Sequence, residues 1–570
     1  MLDTMAAAFA TLADPPPFDP PPHGPVCKKC PNIIFSLTDD QDVELGGWDP
    51  MRKTQSLLQA DGATLTEWRI HTPICSPSRS QTVSGRYFHN IKSDLVVPPP
   101  DLQPAASGHV DGSTYTNESF GVYLRALKGY NVGMFGKSNF NTYEGFDRWF
   151  QGAFLGYGGT WEDNESPSFR FVAPKSDYAT TLLTSKAVEW LRRDNVTGHA
   201  ADDRPVFVYF APHCPHTPST PEKQYEDACE GVTSPRTPSY NHTGEGYHEL
   251  VRLQPPLSAD DAALIDDLAR RRCQCLMSVD DAHAALVSAV KAAGRWQRTY
   301  WMVTSDHGYN LGQHRLPSNK FLLYDHAVRI PMVVRGPGVA AGNNSVLGTN
   351  VDYAPTWLGL AGIETPSCMD GRSLLSQLVP EANEGLLPPP TREHVRAERR
   401  GLRQRPWRDS VFFQYYNQGG PNPWDGKPPV PWDAQGWAPG STSNPQQKIA
   451  DLNFPPFPRD VGLNATVRPL DDWSNTYIGL LSLDASLGGK YKYGEYEYRC
   501  STADIRSRQC FAATAGGMQP PSDDYSYQLF DLTADPFELT NVYASAEPAL
   551  KAALAAKLRE YYPCQGVACP

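Results

Sequence analysis

Four short runs of apolar residues constrain the fold of this chain most strongly, because each ends abruptly in a polar cluster. The runs lie at 33–37, 132–135, 206–210 and 300–304. They are rich in β-branched and aromatic residues, a composition typical of buried strands. Helical patterns separate them, at 119–128, 178–193 and 258–293. Alternating strands and helices predict an α/β fold, with a mostly parallel central sheet flanked by helices.

The polar clusters that follow these strands are the first candidates for a functional site. In sheets of this kind, ligands bind in the crevice outside the carboxyl ends of the strands. We therefore expect six side chains along one rim of the sheet: Asp39, Asp40, Lys137, His213, Asp306 and His307.

Composition and pattern divide the chain into four ranges. Residues 1–30 are Pro-rich and predict a leader or linker, and residues 31–400 contain the alternating strands and helices of the main domain. Residues 401–460 are rich in Gly, Pro and Trp, which is typical of a long loop. Residues 461–570 carry shorter strand patterns and a final helical pattern, which predict a smaller C-terminal α+β domain containing an antiparallel sheet.

Net charge and hydropathy exclude several classes of partner. The formal net charge is −12, whereas a nucleic acid or an anionic membrane requires a basic surface. No apolar run approaches the roughly 20 residues that a membrane span needs. We therefore expect no nucleic acid partner and no membrane span, although a few cations in one pocket could still bind a small anion.

The 12 cysteines and the glycosylation sequons predict an oxidising compartment, either extracellular or lysosome-like, at the end of the secretory pathway. Four close pairs occur, at Cys27/Cys30, Cys273/Cys275, Cys500/Cys510 and Cys564/Cys569. Disulfides explain them better than zinc, because they lack partner clusters at zinc-finger spacing. Sequons begin at Asn117, Asn164, Asn195, Asn241, Asn343 and Asn464. The apolar run 6–13 follows an acidic residue and no basic one, so it is not a convincing signal peptide.

Cys75 lies at the start of a predicted short helix. Pro77 suits the first helical position and Gly85 suits a helix end, so 77–83 is expected to be helical. The amino end of a helix favours anions and lowers the pKa of a thiol. Cys75 is therefore either a reactive cysteine or anion site, or a buried structural cysteine.

The stretch Cys75-Ser76-Pro77-Ser78-Arg79, followed by Ser84-Gly85-Arg86, resembles the signature of the type I sulfatases in the alkaline phosphatase superfamily. Other segments are similar to N-acetylglucosamine-6-sulfatases and algal arylsulfatases, at 37–42, 305–313, 335–338 and 370–374. The resemblance implies that 31–400 is a catalytic sulfatase domain. It also implies that a formylglycine-generating enzyme oxidises Cys75 to formylglycine, whose hydrated form has two hydroxyls. One hydroxyl would displace the alcohol from sulfur, and the other would then release sulfate.

The resemblance further implies a metal site at the rim. The implied ligands of one Ca²⁺ ion are Asp39, Asp40, the modified Cys75, Asp306 and His307. His307 stands where Asn is commoner in the family. Many sulfatases also have a histidine after the strand at 132–135 that activates the diol, and this chain has Asn139 there. Asn139 or Asn141 is a candidate for that place.

Cationic and neutral side chains complete the implied catalytic site. Lys137 and Lys320 match family lysines that contact the sulfate group, and Arg79 matches the arginine that braces the formylglycine. His213 matches a histidine near the leaving-group oxygen and is a candidate general acid. The expected substrate contacts are Lys137, Asn139, His213 and Lys320.

Three functions remain open, with a sulfuric ester hydrolase acting on sulfated carbohydrates or aryl sulfates as the leading hypothesis. A phosphonate monoester or phosphodiester hydrolase could use the same nucleophile, and a non-catalytic glycan-binding homologue could keep the scaffold. The glucosamine-sulfatase-like segments favour sulfate, and the intact Cys75 motif favours an enzyme. In the 401–460 loop, Trp424, Trp432 and Trp437 either stack on sugar rings or pack the loop onto the body.

Overall fold

A computed structural model describes residues 23–91, 118–138, 145–152, 156–193, 204–244, 246–252, 254–415, 475–496 and 527–570. Its first ten strands are β1 (Asn32–Thr38), β2 (Ala63–Arg69), β3 (Asn131–Gly136), β4 (Arg148–Gln151), β5 (Tyr157–Asp163), β6 (Arg170–Tyr178), β7 (Val206–Ala211), β8 (Thr299–Ser305), β9 (Met332–Arg335) and β10 (Gly342–Thr349). They form one sheet in the order β10-β2-β9-β8-β1-β7-β3-β4-β5-β6.

The centre of this sheet is parallel, as the sequence predicts. Strand β1 pairs in parallel with both β7 and β8, and β3 pairs in parallel with β7 and β4. Antiparallel pairing occurs at β9 and along the β4-β5-β6 edge. Every residue of β1, β7 and β8 is buried, because helices cover both faces of the sheet. The predicted fold class is therefore confirmed.

Seven helices of eight or more residues lie in the described parts of the chain. They are α1 (Cys75–Ser84), α2 (Phe120–Lys128), α3 (Ala179–Leu191), α4 (Ala259–Ala292), α5 (Tyr353–Leu360), α6 (Pro389–Leu402) and α7 (Pro548–Tyr561). The pattern at 258–293 becomes one helix, which Ser258 begins with a capping box to Asp261. None of the described helices combines the length and apolar content that crossing a membrane requires.

Helix α1 begins two residues earlier than its sequence predicts. Cys75 is its first residue, so Pro77 occupies the third helical position. Proline is tolerated there because the first N–H groups of a helix have no intrahelical partner. The predicted helix end is confirmed, since Gly85 caps α1 with a φ of 67°, a left-handed conformation that glycine adopts without strain.

A second sheet forms the C-terminal part of the molecule. Its strands are β11 (Ser410–Tyr415), β12 (Tyr477–Ser482), β13 (Tyr491–Tyr496) and β14 (Tyr527–Asp531), all antiparallel in that order. The range predicted as a loop, 401–460, thus contains a buried strand at its start. Residues 416–474, which include Trp424, Trp432 and Trp437, lie outside the described residues. The domain boundaries at 400 and 460 stay a prediction.

Disulfides join cysteines in the described parts of the chain. Cys27–Cys30 and Cys564–Cys569 are bonded as close pairs. Cys273 and Cys275 are not bonded to each other, because residues two apart on α4 point in different directions. They bond instead to Cys229 and Cys214, which fixes the segment after β7 against this helix. The Cys500/Cys510 pair lies outside the described residues.

A buried charge network attaches the second sheet to the main domain. Lys492 on β13 is completely buried, and its Nζ donates to Glu538 Oε1 at 2.6 Å and to Asp325. Arg69 at the end of β2 donates to the same Asp325 through Nη2 at 2.7 Å. A buried charge is tolerated only when it is paired. The network therefore holds the second sheet at the rim where β2 ends.

Replacing Lys492 tests this attachment. Lys492→Met leaves two buried carboxylates with one cation fewer, and we expect the free energy of unfolding to fall by about 3 kcal/mol. The matched control is Lys557→Met, which breaks a more exposed pair with Asp409 and should cost about 1 kcal/mol or less. Urea unfolding measures both. Equal losses would contradict a special role for Lys492.

Candidate active site

The ends of four parallel strands and the start of α1 meet at one point on the sheet edge. Asp39 and Asp40 follow β1, Asp306 and His307 follow β8, Lys137 follows β3, and His213 lies two residues beyond β7. Cys75 and Lys320 reach the same point from outside the sheet. The structure therefore brings together these eight predicted residues: Asp39, Asp40, Cys75, Lys137, His213, Asp306, His307 and Lys320.

Cys75 lies at the centre of the cluster. Its Sγ is 3.3 Å from His307 Nε2 and 3.5 Å from Asp39 Oδ1. Burial and Asp39 favour the neutral thiol, but Lys137 and Lys320 favour the thiolate more strongly, together with His307. The pKa of Cys75 therefore lies well below its usual range.

Arg79 lies one turn after Cys75 on α1 and braces the strand ends. Its Nε donates to Asp306 Oδ2 at 2.9 Å, and its Nη1 donates to the carbonyl oxygen of Lys137 at 2.7 Å. Burial alone would favour the neutral guanidine, but Asp306 and Asp39 outweigh it and raise the pKa of Arg79. One side chain thus fixes α1 against the ends of β8 and β3.

Three carboxylates converge beside the thiol, and two lysines balance them. Lys137 Nζ donates to Asp39 Oδ2 at 2.5 Å, and Lys320 Nζ donates to Asp40 Oδ1 at 2.6 Å. Burial opposes ionisation of Asp40, yet Lys320 outweighs it and lowers the pKa of Asp40 to about 2. Burial and Asp39 raise the pKa of Asp306 to about 6. The three carboxylates repel one another, and a further cation beside the two lysines would reduce this repulsion.

The donor atoms at this point suit a divalent cation. Ligand atoms of Asp39, Cys75, Asp306 and His307 all lie within 4.8 Å of one another. Asp40 Oδ2 is buried and has no hydrogen-bond partner among the described residues. Carboxylate oxygens are the ligands that a hard divalent ion prefers, and an imidazole nitrogen can join them around a softer one. The residues present therefore fit a divalent cation.

Two histidines border the cluster, and the sequence prediction included only one. His213 is buried, and burial, with Lys137, lowers its pKa well below the usual range, so it is neutral. His216 places Nε2 4.0 Å from Asp40 Oδ2, with 26% of its side chain exposed. Burial lowers the pKa of His216, but Asp40 and Asp39 outweigh it and raise that pKa. The sequence repeats Pro-His at 212–213 and 215–216, and this repeat could have indicated His216 as a second site residue.

Several other predicted positions lie outside the described residues or have side chains that form hydrogen bonds. Asn139 and Asn141 lie outside the described residues, as do the sequons at Asn117, Asn195 and Asn464. The amide nitrogens of Asn164 and Asn241 donate to backbone carbonyl oxygens at 3.0 and 3.2 Å. Asn343 is exposed on β10 and stays a predicted glycosylation acceptor.

Comparison with known proteins identifies the family. The sulfatase family model matches residues 31–363 of this chain. The N-acetylglucosamine-6-sulfatase of Homo sapiens is 27% identical over 559 residues, which cover 95% of this chain and 86% of that protein. The chain therefore belongs to the sulfatase family and is a sulfuric ester hydrolase.

Solved structures share the fold. One, in complex with its substrate D-glucosamine-2-N,6-O-disulfate, has a TM-score of 0.61 at 18% identity and covers 93% of this chain and 97% of that chain. The phosphonate monoester hydrolase of Silicibacter pomeroyi has a TM-score of 0.56 at 17% identity, covering 93% of this chain and 94% of that one. At these identities the likeness establishes the fold alone.

Substituting Arg79 tests its bracing role. Arg79→Lys keeps the charge but loses the second hydrogen bond, because lysine cannot reach both partners from one rigid group. We expect the free energy of unfolding to fall by about 2–4 kcal/mol, and the rate of aryl sulfate hydrolysis to fall strongly. The control Arg193→Lys changes partly exposed pairs with Glu165 and Glu189 and should alter stability by about 1 kcal/mol or less. An active, stable Arg79→Lys protein would refute the bracing role.

Proposed function

We propose that this sulfatase removes sulfate groups from sulfated sugars, with oxidised Cys75 as its nucleophile and one calcium ion beside it. The observation that carries the proposal is the position of Cys75 at the amino end of α1, between Asp39, His307 and two lysines. The sugar substrate is supported by the human relative, whose name specifies N-acetylglucosamine 6-sulfate, and by the neighbour bound to a glucosamine disulfate.

Each group at the site has a proposed task. A formylglycine-generating enzyme would oxidise Cys75, and the hydrated aldehyde would supply one hydroxyl for attack and one for release of sulfate. Asp39, Asp40, Asp306 and His307 would hold calcium, which would supply positive charge for a sulfate oxygen. Lys137 and Lys320 would stabilise the negative charge that grows on the sulfate oxygens.

His213 and His216 lie beside the carboxylates and lysines that would surround the sulfate group. The neutral His213 imidazole can donate a hydrogen bond to the leaving-group oxygen, which is the role that its position suggests. His216 is more exposed and lies next to Asp40. Both side chains are held by the segment that the Cys214–Cys275 disulfide ties to α4.

An oxidising compartment is part of the proposal. The Cys214–Cys275 disulfide attaches the segment that carries both histidines to α4, and Cys229–Cys273 makes a second link to the same helix. Disulfides persist in oxidising compartments. Together with the predicted sequons, they support maturation in the secretory pathway, with an extracellular or lysosome-like destination.

Substrate comparison tests the reaction. Matured protein should release sulfate from a 6-sulfated glucosamine and from a small aryl sulfate, and the Cys75→Ala variant should release none. Mass spectrometry of the peptide containing Cys75 should find formylglycine in the active protein. Unmodified thiol in fully active protein would refute the mechanism. Faster cleavage of an aryl phosphonate than of either sulfate would favour the phosphonate hydrolase alternative.

Metal binding has a separate test in thermal stability. After chelation, calcium at about 100 times its Kd should stabilise the protein by about 2.7 kcal/mol and raise its Tm. Asp40→Asn removes a carboxylate whose Oδ2 accepts no hydrogen bond among the described residues and should abolish most of this rise. The control Asp260→Asn changes an exposed residue at the start of α4 and should keep it. An equal rise in Tm for the parent protein, Asp40→Asn and Asp260→Asn would refute the calcium site.

A further inference from the structure

Helix α6 carries a row of arginines that the catalytic site does not use. The row consists of Arg392, Arg396, Arg399, Arg400 and Arg403, of which the last is the residue that caps the helix. Positions spaced by four, seven, eight and eleven residues share one face of an α-helix. At about 1.5 Å per residue, the row is roughly 17 Å long.

Acidic partners neutralise only part of the row. Glu384 pairs with both Arg396 and Arg399. Arg400 and Arg403 are exposed and form no ion pair with any residue that the structure describes. The row therefore keeps a surplus of positive charge, although the chain as a whole has a net charge of −12.

The acidic residues on α6 itself do not remove this surplus. Glu398 pairs with His394 at 2.8 Å. Glu393 is exposed and forms no ion pair within the described parts of the chain. Glu398 also accepts a hydrogen bond from the Ser376 N–H at 2.9 Å. Neither carboxylate forms an ion pair with an arginine of the row among the described residues.

Two more arginines, Arg372 and Arg405, lie beyond the end of α6. Arg372 donates to the backbone oxygens of Arg405 and Pro406 at 3.2 and 2.9 Å, which brings the two arginines together. Neither forms an ion pair with a carboxylate among the described residues. Burial and the neighbouring Arg408 and Arg405 lower the pKa of Arg372 to about 10. A bound anion would relieve this repulsion.

The row is separate from the catalytic site. The N–H groups of Asp370 and Gly371, next to Arg372, donate to the carbonyl oxygen of Gly85 at the carboxyl end of α1. Cys75 is at the amino end of the same ten-residue helix, which spans roughly 15 Å. The nucleophile and the arginines therefore lie at opposite ends of α1.

We propose that this arginine row binds a sulfated polysaccharide chain outside the catalytic cleft. The choice of polymer rests on the proposed function. A linear polyanion matches a linear row of cations, and guanidinium groups form paired hydrogen bonds with oxyanions. Such a contact would hold a long substrate near the enzyme while the catalytic site acts on one sulfate.

Two other anionic partners fit the row less well. The apolar side of α6 is packed into the body at Val395, so the helix has no free apolar face to insert into a membrane. A membrane or a nucleic acid duplex would also bring a broad anionic surface against a chain of net charge −12. A single polysaccharide chain can contact the row alone.

The test compares two variants that remove the same charge. Arg400→Gln/Arg403→Gln acts on the row, and Arg170→Gln/Lys175→Gln acts on exposed residues of the edge strand β6. Binding of a heparin-type oligosaccharide is measured in a Cys75→Ala background across a salt series. The first variant should raise Kd about tenfold and make the dependence of Kd on salt shallower. The second should stay close to the parent protein.

Activity supplies the second readout. With Cys75 intact, the Arg400→Gln/Arg403→Gln protein should show a higher KM for a long sulfated chain and an unchanged kcat/KM for a small aryl sulfate. Unchanged oligosaccharide binding, or equal weakening in both variants, would overturn the proposal. Tighter binding of duplex DNA or anionic vesicles would overturn it as well. A protein that binds the oligosaccharide but hydrolyses no sulfate ester would refute the proposed function and leave this inference standing.

Discussion

The buried pair of Arg79 with Asp306 is the interaction on which the active site depends. Both side chains are fully buried, so each needs the other to remain charged. Through this pair, α1 is fixed to the end of β8, and through the carbonyl oxygen of Lys137 it is fixed to the end of β3. The position of Cys75 follows from this bracing, because Cys75 lies one turn before Arg79 on the same helix.

Charge balance explains the rest of the site. The aspartates converge because neighbouring parallel strands end at one edge, and cations from other segments offset their repulsion. Lys320 and Lys137 donate hydrogen bonds to Asp40 and Asp39, while Asp40 Oδ2 accepts no hydrogen bond among the described residues and lies 4.0 Å from His216 Nε2. The same rim also receives the second sheet, whose Lys492 joins a network that includes Arg69 at the end of β2. The active site and the buried network that attaches the second sheet therefore lie at the same edge of the main sheet.

The sequence predicted the parts that depend on local pattern. The four apolar runs became β1, β3, β7 and β8, and the polar residues after them met at one site, because the carboxyl ends of parallel strands share an edge. Predictions from local pattern were wrong where the structure of a segment depends on a partner far away in the sequence. The strand β11 has its register fixed by β12, and Cys273 and Cys275 pair with cysteines outside α4.

The sequence by itself determined which chemical groups the chain has: the Cys75 signature, the three aspartates, the two lysines and the arginine spacing of α6. Only the tertiary structure decided how these groups are charged and which of them remain free. His213 and His216 stand three residues apart, yet the pKa of one is lowered and that of the other raised. The reason is physical: burial and the distance to other charges set a pKa, and both come from segments far apart in the chain.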